Sequence, residues 1–179
     1  MIKSFIPGVM KDVTSVVSQQ LYIDSLLVIA VAKRAHQLRA RLLSWRSNHQ
    51  KSLGDSLSCI CTGGMERDSR FKIMGVYHSC LMLLNRLIAA ISPSEQQKRE
   101  EEAQQLAMTM LELQEHIALA RPQASIFVAQ AVGLARVMVA TTQDWQTTPE
   151  YEEKSLGSNR RVISRWKFER WCEMFGRKM

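Results

Sequence analysis

Cysteine, histidine and clustered carboxylates are the side chains here best suited to nucleophilic or metal chemistry, and their spacing suits neither. A structural zinc site takes four nitrogen or sulfur ligands, usually from paired cysteines two to four residues apart. Cys59 and Cys61 are separated by one residue, and Cys80 falls in an apolar stripe that marks it as core. Cys172 stands alone near the end of the chain. His36, His49, His78 and His116 are scattered, none beside a serine or cysteine in a nucleophile context. His78 falls two residues before Cys80, on another face of the same helix. An all-α enzyme such as a terpene cyclase needs several acids on one helix wall to hold magnesium. The acids Glu100, Glu101 and Glu102 lie near a helix start, and Glu150, Glu152 and Glu153 lie in a polar connector. Both groups read as solvated faces. No catalytic, cofactor or metal site is expected, and the chain reads as non-enzymatic.

Two basic features could still serve a site. Arg136 is the one charge between Arg121 and Asp144. A buried, unpaired charge there costs about 3–5 kcal/mol, so it either joins an ion pair, snorkels to the surface, or faces a ligand in a regulatory pocket. The tail from Asn159 to Met179 carries seven Lys/Arg against two acids and two of the four tryptophans. Arg161, Arg165, Lys167 and Arg170 alternate there with Trp166, Phe168 and Trp171. Interleaved arginine and tryptophan can grip a nucleic-acid backbone. Aromatic density favours the other reading: the helix docks, Trp166 and Trp171 are buried, and the basic side chains lie outermost as a surface for a partner.

The elements that must position these residues are helices. With 179 residues, 46% of them hydrophobic and 23% charged, and with only eight glycines and four prolines, the composition suits one helical domain spanning residues 1–179. A net charge of +7 suits an acidic partner, although many solvated surfaces are as basic. The longest unbroken apolar run, Leu26 to Ala32, is well short of the roughly 20 residues of a membrane span. No secretory signal is read at the N-terminus, and the cysteines are expected to be reduced in an intracellular chain.

The fold expected is all-α, an irregular bundle of about six helices. In the second, Leu27, Val31, Ala35, Leu38, Leu42 and Trp45 share one face, opposite Lys33, Gln37, Arg41 and Ser44. Val31, Leu38 and Trp45 also keep a seven-residue spacing, which leaves a coiled-coil seam open. A loop is expected over about 47–70, then a helix from Phe71 to Ile91. Ser92, Pro93 and Glu95 suggest a capping box for the next helix, whose core face is Ala103, Leu106, Ala107, Met110, Leu113 and Ile117. The helix from Pro122 to Asp144 is apolar nearly all round, which predicts a central, buried position for Phe127, Leu134 and Met138. A connector over about 145–158 precedes the last helix.

Five stretches in order, AKRAHQLRARLLSWR, HSCLMLLNRLIAAI, EEEAQQLAMTMLELQEH, ASIFVAQAVGLARVMVATTQDW and WKFERWCEMFGRKM, resemble the C-terminal part of the regulatory domain of fungal zinc binuclear cluster transcription factors. The resemblance covers most of the chain from about residue 30 onward. It implies transcriptional regulation in the nucleus, through protein partners (the transcription machinery or another copy) or small ligands. The family's six-cysteine DNA reader has no counterpart here, so at most weak, nonspecific DNA binding is implied, and no membrane association. The alternative is a helical interaction or scaffold protein that works outside transcription.

Overall fold

The computed structural model describes residues 6–19, 25–50, 65–120, 125–126, 128–146, 163, 165–174 and 176, and among these the chain forms seven α-helices with short 3₁₀ turns between them. The helices are α1 (Ile6–Ser18), α2 (Ser25–Asn48), α3 (Met65–Ile91), α4 (Gln96–Ala120), α5 (Ala129–Ala140), α6 (Thr142–Gln146) and α7 (Arg165–Met174), with a 3₁₀ turn at Pro93–Glu95. No strand occurs among the described residues, so the all-α class expected from the sequence is what forms. There is one more helix than expected because the run from Pro122 to Asp144 is broken: α5 begins at Ala129 and stops at Thr141, and α6 restarts at Thr142.

On α1, a helix whose face was not assigned from sequence, Ile6, Val9, Met10, Val13, Val16 and Val17 recur at helical spacing and are all buried. On α2, Val31, Ala35, Leu38 and Leu42 are buried, as expected, while Lys33, Gln37, Arg41 and Ser44 face solvent. Leu27 is partly exposed and Val28 buried in its place. That face packs on α1 and α3 of the same chain, not on a coiled-coil partner. On α4, Ala103, Ala107, Met110, Leu113 and Ile117 form the buried stripe, with Leu106 packed at its margin.

The centre of the bundle is α3, not the Pro122–Asp144 segment. Every residue from Leu84 to Ile91 is buried, Asn85 and Arg86 included, and α3 packs on α1, α2, α4 and α5. The helix begins at Met65, inside the segment expected to be loop. Its Ser69–Ile91 stretch is long and apolar enough to cross a membrane, contrary to the reading from unbroken runs. Most of that stretch is covered by the rest of the chain, the mark of a core helix. By contrast α5 buries one face, Leu134 and Met138 included, and exposes Gln130, Gly133, Arg136 and Val139. Phe127 lies outside the described residues.

Two local expectations change. Ser92 makes no side-chain cap; the chain takes a 3₁₀ turn there, and the carboxylate of Glu95 accepts from Arg99 Nε at 2.9 Å. Trp145, placed by sequence at the start of the connector, is buried in α6.

Candidate functional site

A buried ion pair stands where the helices converge. Arg86 rises from α3 with no exposed side-chain surface and donates through Nη2 to Glu100 Oε1 on α4. Its Nη1 donates to Thr141 Oγ1 at 2.9 Å, and Gln104 Nε2 donates both to Glu100 Oε1 at 2.9 Å and to the Met138 carbonyl at 3.0 Å. The guanidinium carbon lies 4.2 Å from the Trp145 ring centroid and 5.7 Å from that of Trp171. The two rings meet edge to face at 5.7 Å. Burial pushes the Arg86 guanidinium down to about 10, against the attraction of Glu100 and then Asp144, and it stays charged at neutral pH. Burial likewise raises the Glu100 carboxyl, against Arg86 and Gln104. The sequence reading placed Glu100 on a solvated face; it is 2% exposed. The cluster joins α3, α4, α5, α6 and α7 and acts as an internal brace, its ion pair shielded from solvent.

Beside it, partly buried polar contacts hold α2 to α3, to α4 and to the 3₁₀ turn. Arg39 Nε donates to Asn85 Oδ1 at 2.7 Å and its Nη2 to Glu102 at 2.6 Å, while His36 Nε2 lies 3.0 Å from Glu95. His78 is buried, its ring Nδ1 2.8 Å from the Met74 carbonyl, so the neutral ring donates from that nitrogen. Burial pushes its pKa below the ordinary 6.5, the backbone contact raises it, and the charge of Arg46 lowers it further. A folded-state value below the unfolded one gives stability that is present above pH 6.5 and lost as pH falls through the folded value. Glu100 has the opposite sign: its raised value gives stability that is full at low pH and lost as pH rises. We therefore expect His78→Gln to flatten the loss of stability between about pH 7.5 and about pH 5.5, where each pH unit below the free value costs up to about 1.4 kcal/mol. Urea unfolding of both proteins at the two pH values checks this; an unchanged difference would assign the acid sensitivity elsewhere.

The accessible site is a cleft of about 620 Å³. One wall is a single face of α3, formed by Val76, Ser79, Cys80 and Leu83, spaced i, i+3, i+4, i+7. The facing wall repeats that spacing on α5 with Gln130, Gly133, Leu134 and Val137. Ile6 and Met10 of α1 and Met174 of α7 close it. Among the described residues, no charged side chain lines it. Sequence reading missed this cleft because each stripe looks like ordinary core when its helix is taken alone. The one available signal was Gly133, a glycine in the middle of an otherwise apolar helix.

The residues singled out from sequence do not converge. Arg136 is exposed on α5, donates to Gln114 Oε1 at 3.2 Å, and is not among the residues lining the cleft between α3 and α5. Arg165 is exposed and paired with Glu169 at 2.6 Å, and Arg170 is exposed with its Nε 3.5 Å from Asp144. Lys167, expected outermost, is buried, its Nζ 5.7 Å from the Trp166 ring. Arg161 lies outside the described residues. Trp171 is fully buried, as expected, but Trp166 is 48% exposed. The helix turns Phe168, Trp171 and Cys172 inward, which leaves Trp166 on the outer side. Cys59, Cys61 and the Glu150–Glu153 acids also lie outside the described residues. Among the described residues no three His, Cys, Asp or Glu side chains come together as a metal site. Compared with known proteins, the chain matches no family model, no curated protein and no solved structure.

Proposed function

We propose that the chain is a non-catalytic regulatory domain of the fungal zinc binuclear cluster type, acting in the nucleus on transcription through protein or small-ligand contacts. The observation that carries this reading is the correspondence between the five family-like stretches and the helices of one core. They fall on α2, α3, α4, the α5–α6 pair and α7, with Arg86 of the second, Glu100 of the third, Trp145 of the fourth and Trp171 of the fifth meeting at one point. A cleft open to solvent beside that core supports a regulatory contact. The basic residues of α7, Arg165, Lys167 and Arg170, are paired or buried, which fits a chain that leaves DNA reading to another module.

Fusing the chain to a heterologous DNA-binding module and measuring reporter transcription in a fungal cell tests this. The fusion should alter transcription relative to the module alone. A well-folded fusion without effect would count against the reading and favour an interaction or scaffold role outside transcription. The isolated chain should bind DNA only weakly and with steep salt dependence. Tight, sequence-selective binding at physiological salt would overturn this part.

A further inference from the structure

We infer that the cleft between α1, α3, α5 and α7 is a binding site for a neutral, lipophilic small molecule carrying a hydroxyl or carbonyl group. About 620 Å³ lies within the range of pockets that enclose drug-sized ligands. It is less than the space filled by two turns of a helix about 10 Å across, so the cleft does not admit a partner helix whole. Among the described residues the lining is apolar apart from Ser79 and Gln130, whose side chains have no hydrogen-bond partner there. These two can meet a hydroxyl or carbonyl. A carboxylate or an amine would leave water with no opposite charge to receive it, which selects against charged ligands.

Gly133 supplies the second observation. It sits inside α5, where glycine is less favourable than any residue but proline, and a Cβ added there would meet nothing within 4 Å. Packing therefore does not require glycine at this position, and its φ is not in the left-handed region. What the missing side chain provides is width along the cleft wall. The inference stands apart from the transcriptional reading, since binding is measured on the chain alone and either can fail without the other.

The test is titration of the purified chain with Nile red, a neutral lipophilic dye bearing a carbonyl. We expect saturable, one-to-one binding with blue-shifted emission. Gly133→Phe and, from the opposite wall, the half-exposed Val76→Phe should each weaken binding by about tenfold or more while the protein still melts cooperatively. Gly133→Ala should bind like the wild type and melt at a higher temperature. Absence of saturable binding would overturn the inference and leave the cleft to a protein segment. So would a folded Gly133→Phe or Val76→Phe protein that binds the dye as the wild type does.

Discussion

Arg86→Met should lower the melting temperature by roughly 10 °C. The substitution leaves Glu100 buried without its counter-ion and removes the cation from between two tryptophan rings. Breaking one side of a buried pair costs about 3–5 kcal/mol, and in a domain of this length each kcal/mol moves the transition by about 2–4 °C. The pair itself is a different matter. Arg86 Nε and Glu100 Oε2 are buried without a partner among the described residues, so neither ion recovers all of its lost hydration. Replacing both, as Arg86→Met with Glu100→Leu, should therefore restore at least half of what the single change loses. Calorimetry of the three proteins decides the matter. A double variant no more stable than Arg86→Met would show that the loss came from packing around the guanidinium and not from the stranded carboxylate.

Trp171→Ala should cost about 3–5 kcal/mol, and Trp166→Ala no more than about 0.5 kcal/mol. Both residues are tryptophan on one short helix, yet Trp171 is fully buried against Trp145 and Phe168, with ring centroids at 5.7 and 5.5 Å. Trp166 is nearly half exposed. Denaturant unfolding of the two variants separates them. Equal losses would mean that Trp166 is covered in solution and that the tail docks through both faces.

The stripes of α2 and α4 were legible because charged residues bracket a clean 3.6-residue period. The site was less legible, and the reasons are physical. Apolarity along one helix does not say which helix will be surrounded, and α3 takes the centre although it carries Asn85 and Arg86. Glu100 could have been found: it falls three residues before Ala103 and seven before Ala107, on the very stripe that forms the core of α4. An acid on that stripe requires a buried cation, and Arg86, in the middle of the most apolar stretch of α3, was the residue to name. Arg136 drew attention by the same logic in the wrong helix, because α5 has an open side that composition alone does not reveal. The cleft needed the relative placement of two helices, which no periodicity encodes.

The brace around Arg86 also sets an order of events during synthesis. Arg86 and Glu100 leave the ribosome long before Trp171, which follows Arg86 by nearly half the chain. Until α7 arrives, one aromatic wall of the guanidinium site is missing and the Trp145 ring lacks its edge-to-face contact with Trp171. The final closure therefore joins residues far apart in sequence, the kind of step that slows folding and leaves apolar surface open to other chains meanwhile.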